Sequence, residues 1–566
     1  RVPIAVSVDG IRASLTEGAV AVADLEVEVH LRPFGSGTLL EWLVRNPGRR
    51  TLHPNRVAVH FELRPALVLE HGWQSWSPVR ACPPGAVQAD RRHLPAWRRA
   101  EYFGEPDRAG RVVVGEPFLV DDTGATAFLG ASRHLAAVEA GPEGLAAVAL
   151  LEALPIEPGE AVDLHPVWFA TGDPGEMYSE LATLWGRAEG ARVNAAAPFG
   201  WCSWYQHEHR FSPAELDRTL ALATGHGIDV VQVDDGYAAE VGDWTRPATG
   251  WPPVAEIAGR IAAAGITPGL WLAPFVALEG GRLVVEHPDW VLHDRAGHPV
   301  RAMHNPIYWG GWAVALDTTH PAVLDHVRRQ AAALRDAGFG YLKLDFLYAA
   351  ALDGRRSVTR AAALRMGLEA IRDGAGESVV LLGSGAPFGP AVGVVDAMRV
   401  SPDVSVRWGA RRPTPGLVDA ASCARTAITT SVLRAPLHRR LWANDPDCVL
   451  LRPTDTELEP WQRRALAATS AGLGGWVVLS DDLDTYGDAE WALVDDLRGW
   501  RARAQGPADL VDPFSPTLTV RCGDLALATG VIHDGDRHGA SPGRSLVRAT
   551  GATGFVHLSE RERAAV

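Results

Sequence analysis

Between residues 199 and 479, eight short apolar runs alternate with helical segments. The runs fall at 199–204, 229–234, 267–273, 340–346, 378–383, 397–401, 436–443 and 475–479. Strand and helix in alternation imply a parallel sheet, because each crossover needs a helix to cover the sheet face. Eight such units in about 310 residues suggest a closed (β/α)8 barrel with some long loops. A doubly wound open sheet is the structural alternative. The helices carry start and stop signals. Ser212-Pro213-Ala214-Glu215 offers a Ser cap, a Pro at the first position and a Glu three residues after the cap. Val323, Val327, Ala331 and Leu334 share one helical face, and Gly338 ends that run.

The flanks read differently. Leu25, Val27, Val29 and Leu31 alternate with charged residues or histidine, as do Val57, Val59, Phe61 and Leu63 with Arg56, Ala58, His60 and Glu62. Period-two alternation means a sheet with one buried face, and the turn signals between runs suggest a large antiparallel sandwich. Beyond Pro507, Leu518, Val520 and Cys522 alternate with polar residues in a small β segment. The expected fold class is therefore multidomain α/β plus β. An N-terminal β-sandwich spans 1–190, a central barrel 191–505 and a small antiparallel C-terminal domain 506–566.

Charge and cysteine use narrow the function classes. The chain carries 54 Lys plus Arg against 68 Asp plus Glu, a net charge of −14, without a long basic run. That argues against a nucleic-acid partner. No window holds about 18 consecutive apolar residues, so no membrane span is expected. The five cysteines are odd in number and lack a CxxC pair. They argue against a disulfide framework and a structural zinc site, and fit a reducing cytoplasm. The stretch that begins Arg1-Val2-Pro3 has no signal-peptide pattern. A cytoplasmic protein is expected.

Of the 54 basic residues a single one is lysine, Lys343. Arg replaces Lys wherever its planar fork fits, so a surviving lysine marks either chance or a site where the fork does not fit. Twenty Trp against eight Tyr is the other oddity. Indoles serve equally as core and as stacking surfaces for sugar faces.

In a barrel, chemistry gathers at the carboxyl ends of the strands. There the second run ends in Asp234-Asp235-Gly236, the fourth contains Lys343-Leu344-Asp345, and the sixth continues Arg399-Val400-Ser401-Pro402-Asp403. Lys343 and Asp345 point to the same side of a strand. An ammonium beside a carboxylate keeps it ionised, and an ionised, desolvated carboxylate is a nucleophile. The competing reading is an ion pair holding strands together. Asp403 follows a Ser-Pro step and either reaches over the mouth or caps a turn. Arg399 fits a bridge to a carboxylate or a hydroxyl ligand. Asp234-Asp235 fit hydroxyl binding, a metal or a strand-end turn, and no convincing metal set completes them. Two separated carboxylates with aromatic walls suggest glycoside hydrolysis.

Seven motifs then fall in one order. They are Gly72-Trp73-Gln74-Ser75-Trp76-Ser77, Gly200-Trp201-Cys202-Ser203-Trp204-Tyr205, Val233-Asp234-Asp235-Gly236-Tyr237, Gly269-Leu270-Trp271-Leu272-Ala273-Pro274, Tyr341-Leu342-Lys343-Leu344-Asp345-Phe346, Arg399-Val400-Ser401-Pro402-Asp403 and Asn444-Asp445-Pro446-Asp447. Together they resemble the family 36 glycoside hydrolases, the α-galactosidase family, from about residue 70 to 480. The resemblance implies a β-supersandwich, a barrel and a C-terminal β domain, with retaining double displacement and no cofactor. Asp345 matches the nucleophile and Asp403 the acid/base. Asp234 and Asp235 match the pair that binds O4 and O6, and Lys343 and Arg399 match hydroxyl-binding bases. Tyr205 and Trp271 match pocket walls, and Trp76, with Trp73 as an alternative, matches an aromatic lent by the N-terminal domain. Trp244 falls near the leaving-group side, and Ser384 lies in the loop facing O2.

The departures concern specificity. Gly383-Ser384-Gly385-Ala386 stands where many members carry Cys, Leu272-Ala273-Pro274 replaces a common Glu-Pro step, and the stretch before Asp345 differs from the commonest Lys-Trp-Asp form. The implied partner is an oligosaccharide such as melibiose or raffinose, and a homo-oligomer is compatible with the resemblance. An α-N-acetylgalactosaminidase, a galactosyl-transferring enzyme of the same barrel type and a non-catalytic sugar-binding protein are the competing functions.

Overall fold

A computed structural model of the protein describes residues 2–15, 18–84, 116–141, 144–409, 422–515, 517–530, 547–551 and 554–557. The N-terminal alternation produces two antiparallel sheets, one of five strands and one of nine. Leu25–Phe34 and Gly37–Arg45 form a hairpin in the larger sheet, and Arg56–Phe61 lies inside the smaller. Val27, Leu40 and Val44 of one sheet and Val57, Val59 and Phe61 of the other are buried in one shared core, which makes the pair a sandwich. Leu31 departs from its expected place. It is 40% exposed, because residues 30–34 leave the core to form the hairpin tip.

The segment read as all-β also contains a helix, Pro174–Ala188. Asp173 caps it by accepting from the backbone N–H of Gly175 and Glu176, and Pro174 opens it. Met177, Tyr178, Leu181, Ala182 and Trp185 bury one stripe at three- and four-residue spacing. That helical period stands directly after a run of strands.

The eight-stranded parallel sheet follows. Its strands are β1 (Phe199–Cys202), β2 (Val230–Val233), β3 (Thr267–Leu272), β4 (Tyr341–Leu344), β5 (Val380–Gly383), β6 (Ala397–Arg399), β7 (Ala443–Asp445) and β8 (Val477–Leu479). Each pairs in parallel with the next from β1 to β7, and β8 pairs with β1. Just past β7, Val449 bridges Leu479 and brings the sheet's ends together. The result is a barrel rather than an open doubly wound sheet. The helix Pro213–Gly225 starts at its Ser212 cap, and Pro321–Asp336 buries Val323, Val327, Ala331 and Leu334, as their spacing dictates.

β7 lies later than its apolar run suggests. Ala435–Leu437 is a 3-10 turn, Arg439 has φ 58°, and ladder pairing starts only at Ala443 opposite Ala397. Pro436 has no N–H for a ladder, and a left-handed residue breaks an extended strand. Ala508–Leu510, Thr517–Cys522, Leu525–Gly530, Val547–Gly551 and Gly554–His557 form a five-stranded antiparallel sheet. Leu518, Val520 and Cys522 face its core. Among the described residues no helix is long and apolar enough to cross a membrane.

Candidate active site

Parallel strands end at one mouth, so the barrel gathers residues that are far apart in sequence. Asp234 and Asp235 follow β2, Lys343 lies in β4, Asp345 follows it, and Arg399 ends β6. All five are buried.

The sequence pairs Lys343 with Asp345, but the structure pairs it with Asp234. Lys343 Nζ donates to Asp234 Oδ2 at 3.1 Å. The four-carbon stem lets an ammonium on β4 reach across to the end of β2. The same Oδ2 accepts from Gln232 Nε2 at 2.5 Å and from Cys202 Sγ at 3.4 Å, while Oδ1 accepts the Asp235 backbone N–H at 2.9 Å. Asp234 is thus pinned on both oxygens. Asp235 Oδ2 faces two donors, Trp309 Nε1 at 2.7 Å and His209 Nε2 at 2.8 Å.

Asp345 is held differently. Its Oδ2 accepts the Trp271 indole N–H at 2.9 Å, and its backbone N–H donates to Leu272 O at 2.8 Å. Oδ1 is buried and has no hydrogen-bond partner among the described residues. Burial raises the Asp345 carboxyl above its ordinary range, and the Lys343 charge, Ser384 and Trp271 hold it down only in part. Lys343 therefore acts on Asp345 through its field. Burial also opposes the ammonium itself, yet the charges of Asp234 and Asp345 outweigh it and keep Lys343 above its ordinary value.

The β6–β7 side is a charge cluster. Arg399 Nη2 lies 2.6 Å from Asp403 Oδ1 and 2.6 Å from Asp447 Oδ2. Asp447 Oδ2 also accepts the Tyr205 hydroxyl at 2.5 Å and the Val404 N–H at 2.7 Å. Burial raises Asp447 to about 6, against the pull of Arg399. Burial alone would lower Arg399, but Asp447, Tyr205 and Asp403 raise it overall. The neighbouring Asp403 charge adds to burial in raising Asp447.

Aromatic rings wall the mouth. Phe346, directly after Asp345, has φ 53°, a strained turn that swings its ring against Trp76 at 5.2 Å and Trp309 at 5.3 Å. The Trp76 indole donates to Ser384 Oγ at 2.9 Å. Of the two tryptophans in that motif, Trp76 reaches the loop beside Asp345, whereas Trp73 is buried behind it against Tyr348. A Cβ at Gly385 would lie 2.8 Å from the Trp76 ring, and φ there is +67°, so the close approach requires glycine. Trp244 is 1% exposed and packs edge-on against Trp271 at 5.3 Å, backing that wall.

The mouth brings together Asp234, Asp235, Lys343, Asp345, Trp271, Ser384 and Trp76 on one side, and Arg399, Asp403 and Tyr205 on the other. Asp447 has no role legible in the sequence beyond its place in the Asn444-Asp445-Pro446-Asp447 motif. His209, in a 3-10 turn, and Trp309, in a connection, carry no sequence signal beyond their donor type. No group of three or more His, Cys, Asp or Glu able to hold a metal occurs among the described residues.

A buried carboxylate and a charge-paired one at a barrel mouth, with an aromatic wall lent by the sandwich, form an arrangement that suits glycoside chemistry. A family model described as Melibiase matches residues 190–362. The α-galactosidase AgaA of Geobacillus stearothermophilus is 26% identical over 151 residues, 24% of this chain and 21% of the relative. The bifunctional α-galactosidase/sucrose kinase AgaSK of Mediterraneibacter gnavus is 30% identical over 152 residues, 25% of this chain and 15% of the relative. The match thus spans about a fifth or less of these curated relatives. Among solved structures, the α-galactosidase TtGalA of Thermus thermophilus has a TM-score of 0.71 at 27% identity, covering 92% of this chain and 98% of that one. The crystal structure of AgaA, with a TM-score of 0.61 at 16% identity over 97% and 83% of the two chains, shares the fold. The chain is thus similar to α-galactosidases, among them members of glycoside hydrolase family 36, in its barrel and in its overall fold.

Proposed function

We propose that the protein is a retaining, exo-acting α-galactosidase that removes terminal α-linked galactose from small oligosaccharides. The observation that carries this reading is the state of Asp345. One oxygen is fixed by an indole N–H, and the other is buried at the mouth with no partner among the described residues. That is the arrangement a nucleophile needs before substrate arrives.

In the first step an Asp345 oxygen attacks C1, the C1–O bond to the leaving group breaks, and Asp403 protonates the departing oxygen. In the second step Asp403, now a carboxylate, takes a proton from water as the water attacks C1 and frees Asp345. Retention requires the two carboxyl groups about 5–5.5 Å apart. Asp234 and Asp235 bind O4 and O6, Lys343 and Arg399 bind hydroxyls, and Trp271, Tyr205 and Trp76 form walls. The Trp76 ring against Ser384 and Gly385 fills the side that the resemblance assigns to O2. That supports galactose over a glycon with a bulky 2-substituent. The complexes of TtGalA with p-nitrophenyl α-D-galactopyranoside and with stachyose support the substrate class. The division at about residues 190 and 505 assigns the sandwich, the barrel and the last sheet to three domains. Buried, free Cys202, Cys423, Cys448 and Cys522 support a reducing, cytoplasmic location.

The test is a panel of aryl α-glycosides. Turnover of the α-galactoside well above the α-N-acetylgalactosaminide and α-glucoside is expected. Asp345→Ala abolishes it, and azide partly restores it as β-galactosyl azide. Full activity in Asp345→Ala would sink the assignment.

A further inference from the structure

Trp76 belongs to the sandwich side of the molecule, yet it forms a wall of the barrel's mouth. Something must hold its loop there. Arg434 follows the helix Ala424–Leu433 and is fully buried. Among the described residues it forms no ion pair with a carboxylate. Its Nη1 donates to Ser75 O, and to Val400 O at 3.0 Å. Its Nη2 donates to His71 O at 2.7 Å and to Gln74 O at 3.4 Å. The guanidinium carbon stands 4.9 Å over the Phe388 ring. Burial pulls Arg434 down to about 10, against the opposing charge of buried Glu116.

We propose that Arg434 is a positioning residue that locks the Trp76 loop and the base of the Asp403 loop to each other. Three of its carbonyls belong to residues 71–75, immediately before Trp76, and the fourth belongs to Val400, three residues before Asp403. Only a rigid fork with several donors spans two segments in this way. The loop has further ties of its own. The Ser75 N–H donates to Ala386 O at 2.9 Å, and Ser75 Oγ accepts from Gly385 N at 2.9 Å. These fix the loop to the end of β5, and Arg434 adds a tie to Val400, directly after β6. The glycon wall and the proton donor are thereby set by one side chain that touches neither substrate nor Asp403.

The kinetic arm of the test rests on the α-galactosidase reading, and the exchange arm does not. Arg434→Lys keeps the charge and loses the fork. KM for an aryl α-galactoside is expected to rise about tenfold in an otherwise wild-type chain, and by less than about twofold in a Trp76→Ala background. Equal fold changes in both backgrounds would mean a merely structural role and overturn the inference. Amide hydrogen exchange without substrate should show residues 72–77 and 400–404 losing protection together, with β2 to β4 unchanged. Loosening confined to one of the two segments, or spread over the barrel, overturns the inference as well. Phe388→Leu removes the ring beneath the guanidinium. It should shift KM and exchange in the same direction by a smaller factor, and it decides the question if Arg434→Lys does not fold. If the wild-type chain turns over no α-galactoside, the proposed activity falls and the exchange result alone decides the role of Arg434.

Discussion

Asp345 is 9% exposed and is fixed by an indole N–H, whereas the Asp403 side chain is 48% exposed and is held by Arg399. The two carboxyl groups proposed to share one reaction sit in opposite environments. The difference follows from their tasks. A nucleophile gains from being dry, oriented and without competing donors. An acid/base must exchange a proton with water in every cycle, which requires access to solvent.

The largest test of this contrast replaces each carboxyl in turn. Asp345→Asn should lower kcat roughly ten-thousandfold on every substrate, because no other group forms the covalent bond. Asp403→Asn should lose as much on an oligosaccharide but far less on an aryl galactoside, whose phenolate leaves without a proton. Equal losses on both substrates would remove the distinction. Next in size is Lys343→Arg, which should fold normally by circular dichroism and lose about a hundredfold in kcat/KM. The fork has no room where one ammonium serves Asp234 and the field on Asp345. Near wild-type turnover would return the lone lysine to base composition.

Two smaller effects concern pH. The Asp345 carboxyl lies above its ordinary value, so activity falls with decreasing pH as Asp345 takes up a proton. Trp271→Phe removes a donor that holds Asp345 down, and the acid limb of kcat/KM should move to higher pH, by less than about one unit. Asp447→Asn removes the carboxyl that burial holds at about 6, so an inflection of kcat/KM near pH 6 that comes from this cluster should disappear. An acid limb unmoved in the first variant, or an inflection near pH 6 that persists in the second, would show that the two sides are not set by these neighbours.

The barrel was legible because its strands are continuous apolar runs and its helices carry caps. Asp345, Asp234 and Arg399 were legible because strand ends place them. What escaped depends on tertiary contacts. The pairing of Lys343 with Asp234 joins positions 109 residues apart, and no local pattern chooses between two carboxylates at one mouth. Asp447 sits beyond a strand whose start the apolar run misplaced. His209 and Trp309 come from loops where neither period applies. The helix Pro174–Ala188 was hidden by the strands before it, although its apolar spacing is helical.

The tie between Ser75 and Arg434 spans 359 residues of chain. At about 5–20 residues per second, synthesis takes roughly 20–70 s to cover that distance. The sandwich therefore emerges long before the side chain that seats its loop. Until Arg434 leaves the ribosome, the Trp76 loop can reach only its ties at Ser384, Gly385 and Ala386, and a nascent chain that already contains Asp345 and Asp403 still lacks the tie between that loop and Val400. Competence arrives late in the life of the growing polypeptide, with the docking of its first part onto the later strands of the barrel.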